Sequence, residues 1–238
     1  MKRLHSALAL LVACLFVACS DSDDNCTPAS GPVVTEELFL DPINRIAVEI
    51  PGEVIISQGP TQQIIVEAPQ SVIDELRIRV VNGEWEIGWD NCVNGNYDLT
   101  INITVPELEQ IGTSGSGSVT VQDTFTQDLV SLSTSGSGAI EGRFDANTME
   151  CSTSGSGNIS VSGEAQNLEI RISGSGNVDT FDLPVSECEI AISGSGSASV
   201  TVTDLLEVSI AGSGNVRYRG NPTIDSSISG SGQVVDAN

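Results

Sequence analysis

Past Lys2 and His5 the chain contains no lysine and no histidine. If residues 1–18 are an export segment, as argued below, the remaining 220 residues have seven arginines as their only cationic side chains. The lack of histidine excludes Ser-His-Asp and Cys-His catalysis and histidine-ligated zinc or iron. The lack of lysine excludes Schiff-base chemistry and a Walker-A phosphate loop. Against the seven arginines stand 32 acids, a net charge of −25. Such a chain is repelled by phosphate backbones, which excludes nucleic acid as a partner. No loop spaces several oxygens around a hard cation, so no metal site is expected, and nothing in the sequence calls for a cofactor. Aromatic residues make up only 4% of the chain, so its core must be aliphatic.

The opening of the chain is organised differently from the rest. Met1-Lys2-Arg3 precedes an apolar run over residues 4–18. Two positive charges, a short apolar stretch and a small residue at its end are the marks of a secretory signal. A bilayer-spanning helix would need about 20 apolar residues. The run ends in Phe16-Val17-Ala18-Cys19, which resembles the lipobox of bacterial lipoproteins. That resemblance implies cleavage before Cys19 and acylation of Cys19, and two or more acyl chains give stable membrane anchoring. Leu11-Val12-Ala13-Cys14 fits the motif letter by letter, but it leaves a very short apolar core with another apolar run behind it, so Cys19 is preferred. Ser20-Asp21-Ser22-Asp23-Asp24 follows at once. It resembles the export signal of Bacteroidetes-type lipoproteins, which implies the outer membrane and exposure at the cell surface, with the periplasmic face as the alternative. Residues 19–40, acidic and then rich in Pro and Gly, are expected to form a flexible tether.

The body of the chain is repetitive. Ser-Gly-Ser-Gly begins at Ser114, Ser135, Ser154, Ser173, Ser193 and Ser229, and Ala-Gly-Ser-Gly begins at Ala211. The intervals are 21, 19, 19, 20, 18 and 18 residues, a fixed spacing that marks stacked repeats. Apolar residues alternate before each motif, as in Leu168/Ile170/Ile172 and Cys188/Ile190/Ile192. Another apolar residue falls five positions after each motif begins, as at Ile140, Ile159 and Val178. Period two on both sides is the pattern of strands with one buried face. Each unit therefore reads as strand, glycine corner, strand and second turn. Glycine permits the sharp bend, and the serine hydroxyls can satisfy backbone groups there. Asn158, Asn177 and Asn215 follow their corners and could form an amide ladder between rungs. A flexible Gly/Ser linker would not hold β-branched residues in register, so that reading is rejected. The fold expected is all-β: a right-handed parallel β-helix with rungs of 18–21 residues over residues 111–238.

The succession "IGTSGSGSV", "TSGSGNI", "ISGSGNV", "ISGSGSA" and "IAGSGNV" resembles the head GIN domain, an adhesin-like autotransporter head family. "QQIIVEA" and "DLTINITVPELEQI" follow the order of that family's opening, so the resemblance covers about residues 40–238. It implies a single-stranded right-handed parallel β-helix at a bacterial surface or in the periplasm and carries over no catalytic residue.

Residues 41–110 show short alternating stretches and are expected to lead the stack and cap its first rung, since an open sheet end invites pairing. Asn82-Gly83 marks a hairpin. Cys151 and Cys188 point inward two rungs apart, roughly 10 Å along the stack, which exceeds the reach of a disulfide at about 7 Å. Both are therefore read as buried free thiols. Cys26 and Cys92 lie in loops outside the array and are candidates to pair in an exported protein. Trp85, Trp89 and Tyr97 gather near Asn94 and Asn96. Rings beside amides suit a carbohydrate surface, and Trp89, Tyr97, Asn94 and Asn96 are its candidate residues. The competing reading is that Trp85 and Trp89, four apart on one strand, share a face and cover the end of the core. A lipid-anchored, non-enzymatic, adhesin-like head that binds a glycan or a protein or has a structural role is the function expected, with the oligomeric state left open. The alternative is a carbohydrate-active β-helix enzyme using paired carboxylates such as Asp179 and Asp182. Against it, the short even rungs leave no long loops to build a cleft.

Overall fold

Alternation with period two puts every second side chain on one face, so a chain that keeps it through repeated bends wraps around its own apolar residues. The computed structural model describes residues 26–238 and is a parallel β-solenoid. The signal segment, Cys19 and the acidic residues 21–24 lie outside the described residues. Ahead of the repeats come β1 (Thr27–Pro28), β2 (Val33–Leu38), β3 (Arg45–Val48), β4 (Glu53–Gln58) and β5 (Gln63–Pro69). A single helical turn, α1 (Gln70–Ile73), then leads to β6 (Val80–Val81), β7 (Glu84–Ile87), β8 (Val93–Asn94), β9 (Thr100–Val105) and β10 (Gln110–Thr113). The repeats supply β11 (Ser118–Thr134), β12 (Ala139–Gly155), β13 (Asn158–Gly174), β14 (Asn177–Gly194) and β15 (Ser197–Gly212). The last turn is β16 (Asn215–Arg219) and β17 (Thr223–Gly230), with β18 (Gln233–Asp236) above it.

Equivalent residues of successive rungs are hydrogen-bonded neighbours. Ile140, Ile159, Val178, Ala198 and Val216 form one buried column, and Cys151, Ile170, Ile190 and Val208 form another. The position just before the corner holds Thr113, Thr134 and Thr153, then Ile172, Ile192 and Ile210, all buried. Threonine and isoleucine share a branched Cβ, the shape a crowded inward site on a strand prefers. No discrete second turn interrupts β11 to β15, whereas the last rung breaks at residues 220–222 between β16 and β17. β12 and β13 each run 17 residues from one glycine corner to the next, because parallel neighbours bend together and keep their ladder. Differences in rung length are absorbed at register shifts instead, as between Thr180 and Pro184, where proline has no N–H to donate.

The corner itself requires glycine. Gly155, Gly174, Gly194, Gly212 and Gly230 all have φ between +127° and +139°, a region L residues avoid. A Cβ on Gly174 would stand 2.5 Å from the carbonyl oxygen of Gly155 in the rung below. The amide ladder forms once: Asn177 Nδ2 donates to Asn158 Oδ1 at 3.0 Å, and Ser197 interrupts the column before Asn215.

Two expectations about the N-terminal part are corrected. Residues 19–40 were expected to be a flexible tether, yet β1 and β2 lie inside that span and Cys26 is bonded to Cys92. β2 pairs antiparallel with β5; its glutamates Glu36 and Glu37 leave the outer edge charged, which blunts it against further pairing. The array was expected to begin at residue 111, but it begins earlier and out of chain order. β3 and β4 form a rung lying between the rung of β7 and β9 on one side and that of β10 and β11 on the other. Antiparallel β5 and β2, and the β6–β7 hairpin with Asn82 and Gly83 at positive φ, then close this end. At the other end β17 is exposed along its whole length, with Ile224 and Ile228 about 40% accessible.

Cys151 and Cys188 are free and buried. Burial pushes the Cys151 thiol up to about 12, with Glu150 adding to the effect, and raises Cys188 as well. Thiolate is the reactive form. Neither thiol should react with an alkylating reagent at pH 8 in the native protein, whereas both should react in denaturant. Rapid native modification, counted by intact mass, would contradict this placement.

Candidate functional site

The hairpin turn Asn82-Gly83 sends the chain from β6 into β7, where alternation buries Trp85 and Ile87 beneath the end of the core. Trp85 Nε1 donates to the carbonyl oxygen of Arg77 at 2.7 Å. Trp89, four residues on, lies past the end of β7, is half-buried and packs on the edge of the core. The two tryptophans thus separate: Trp85 is core, and Trp89 supports the loop that follows.

That loop is fixed at its base. Cys26 and Cys92 form a disulfide, and β1 pairs in parallel with β8 beside it. The carboxylate of Glu75 accepts hydrogen bonds from Thr27 and Asn91, which lower its pKa below the ordinary carboxylate value. Beyond β8 the chain turns at Gly95, where φ is +97°. Tyr97 then folds back, its ring edge-on to Trp89 with centroids 5.9 Å apart and planes at 82°. Partial burial raises the pKa of the Tyr97 phenol, so it stays neutral and able to donate a hydrogen bond.

Asn96 and Tyr97 line an open cleft of about 660 Å³ whose other wall is the β3–β4 turn, Pro51, Gly52 and Glu53. Val93, Gly95, Asp98, Leu99 and Thr100 complete the lining. Of the candidates from sequence, Asn96 and Tyr97 therefore share this cleft and Trp89 stands behind Tyr97. Asn94 belongs to β8, where its carbonyl accepts from Ala29 N at 2.8 Å, and it is not part of the lining. Glu53, Gly52 and Asp98 were not anticipated. Parallel pairing of Glu53 with Thr100 brings them together, and Gly52 lets Leu99 approach, since a Cβ there would lie 3.1 Å from the Leu99 carbonyl oxygen. The carboxylates offer hydrogen-bond acceptors, the Asn96 amide offers both donor and acceptor, and the phenol ring offers a stacking face. Asp179 and Asp182 do not make a second site: Asp179 Oδ1 accepts from Phe181 N at 3.2 Å as a turn cap, and Asp182 is exposed. No group of three or more His, Cys, Asp or Glu side chains that could hold a metal occurs among the described residues.

A parallel β-solenoid closed at one end by antiparallel strands, with repeated Ser-Gly-Ser-Gly corners, defines a narrow class of repeat protein. The chain belongs to the family described as "Putative auto-transporter adhesin, head GIN domain", which matches residues 43–222. Among solved structures it is similar to a "putative adhesin" from Bacteroides fragilis, at 21% identity and TM-score 0.83, over 88% of this chain and 99% of that one. A "putative adhesin" from Parabacteroides distasonis is similar at 21% identity and TM-score 0.73, over 90% of this chain and 100% of that one. A "Putative lipid binding protein" from the same species is similar at 23% identity and TM-score 0.72, over 89% and 99%. At these identities the likeness establishes the fold. No curated protein matches the chain in sequence.

Proposed function

We propose that the protein is an envelope lipoprotein, acylated at Cys19, whose solenoid is a non-enzymatic adhesin-like head that binds a glycan at the Tyr97 cleft. The observation that carries this reading is the cleft itself, where a half-buried ring braced by Trp89 stands beside Asn96, Asp98 and Glu53. Sugars present C–H faces that stack on rings and hydroxyls that take directional hydrogen bonds. Membership of the adhesin-head family supports a binding role at the cell surface or envelope, and the lipobox with its acidic follower supports outer-membrane anchoring.

The test is a glycan array probed with the mature protein and with Tyr97→Ala and Asn96→Ala. Each variant should lose binding by about tenfold, the loss of roughly 1.4 kcal/mol, while melting close to the parent. Binding that survives both changes would move the site elsewhere. Depolymerisation of a polysaccharide, abolished by Glu53→Gln or Asp98→Asn, would overturn the non-enzymatic reading.

A further inference from the structure

In a soluble protein large apolar side chains seldom cluster in water without a partner. At the closed end of the solenoid Phe39 is 88% exposed, Ile78 is 60% exposed and Val81 is 45% exposed. Phe39 and Ile78 share one shallow cleft with Leu40, Arg79 and Val80, and Val81 continues from it along β6. β6 is the outermost strand at this end of the stack. The charges here also differ from those of the whole molecule. Arg77 and Arg79 balance Asp41 and Asp90 around the cleft, in a chain where acids outnumber cations several-fold. Arg77 is engaged with Glu49 and Glu86, while Arg79 makes no ion pair among the described residues.

The same end receives the chain from its amino-terminal side. Cys26 is fixed to Cys92, Thr27 Oγ1 donates to Glu75, and Asp90 N donates to the Glu75 carbonyl at 2.8 Å. Asp90 in turn lines the Phe39–Ile78 cleft. Six residues lie between Cys19 and Cys26, and the seven residue steps from one to the other span at most about 25 Å.

From this geometry we infer that the closed end is a membrane-facing surface, on which Phe39, Ile78 and Val81 enter the headgroup layer of the bilayer holding the lipid anchor. The inference rests on acylation at Cys19. Aromatic and aliphatic side chains beside an arginine suit that layer, where the apolar part is buried and the guanidinium meets phosphate. Because its two arginines match its two aspartates, the cleft is repelled less by anionic lipid than the acidic surface as a whole. A lipid anchor at one point does not by itself fix the direction of the head. An apolar foot fixes its direction, so that the solenoid stands away from the membrane with β17 outermost.

The test uses the full mature protein, purified from membranes and reconstituted in phosphatidylethanolamine–phosphatidylglycerol vesicles that contain a headgroup-region nitroxide lipid. A fluorophore is placed at Phe39→Cys, and in a second variant at Ile224→Cys on the opposite end. Both sites are surface positions, and the buried Cys151 and Cys188 remain unlabelled. Quenching should be strong at residue 39 and absent at residue 224. Intact mass of the same preparation reports acylation. Acylated protein with residue 39 unquenched overturns the membrane-facing surface and leaves the anchor standing. Unacylated protein overturns the anchor, and its quenching at residue 39 on added vesicles then decides for or against the surface. Phosphatidylcholine vesicles with the same nitroxide lipid remove the net negative charge but keep the phosphate: quenching should persist there and weaken in Ile78→Asp.

Discussion

Gly174→Val should destabilise the protein by roughly 3–6 kcal/mol, combining backbone strain with an overpacked contact. Gly174 has φ +127°, and an added Cβ would stand 2.5 Å from the Gly155 carbonyl oxygen and 3.1 Å from its amide nitrogen. Neither contact can be relieved by a side-chain rotation, because both atoms belong to the backbone of the next rung. Ser175 N also donates to that same Gly155 carbonyl at 2.8 Å, so moving it breaks the ladder at the corner. Solenoids distribute stability between neighbouring rungs, so the damage should appear as early opening of the rungs around Gly174. Glu169→Gln is the matched control. Glu169 pairs with Arg171 but stands in register between Glu150 and Glu189, so loss of the ion pair is offset by relief of like-charge repulsion. Its effect should stay within about 0.5 kcal/mol. Denaturant melts of the two variants decide the matter, and equal midpoints would refute the corner geometry.

That contrast also explains how much of the molecule is legible in its sequence. Within the array each rung meets a neighbour like itself, so a local pattern reports a tertiary environment. Leu168, Ile170 and Ile172 announce their face by alternation, and Gly174 announces the bend by its spacing. Ahead of the array the same signal identifies the face but not the neighbour. Ile46 alternates as well as Ile111 does, yet nothing local says that they pair, or that Ile46 also pairs with Trp85 on its other side. The order of the first rungs is set by packing across long separations, which a period cannot encode. Val34, Glu36 and Leu38 show the converse problem, because a short edge strand rich in acids resembles a linker. At the candidate site Tyr97 and Asn96 were visible as residue types. Their partner Glu53 was not, because the approach of Gly52 to Leu99 depends on the parallel pairing of β4 with β9.

Trp85→Ala should cost about 3–5 kcal/mol, the range for emptying a large buried side chain. Trp85 is fully buried, and β7 carries it onto β3 in register with Ile46. Its indole N–H is also the partner of the Arg77 carbonyl, and an orphaned carbonyl adds to the loss. The position lies where the regular stack meets its covering strands. A cavity there therefore loosens β6 and the segment from Arg77 onward, not a rung in the middle of the array. Tyr97→Ala makes the opposite case. Its ring is half-exposed and touches Trp89 edge-on, so truncation should cost no more than about 1.5 kcal/mol. Hydrogen exchange separates the two variants. In Trp85→Ala the amides of residues 77–87 should lose protection while those of β13 and β14 keep theirs; in Tyr97→Ala both sets should remain protected. If Trp85→Ala instead opened the central rungs first, the closed end would not be an independent cover, and residues 77–87 would have to be part of the same cooperative unit as the repeats.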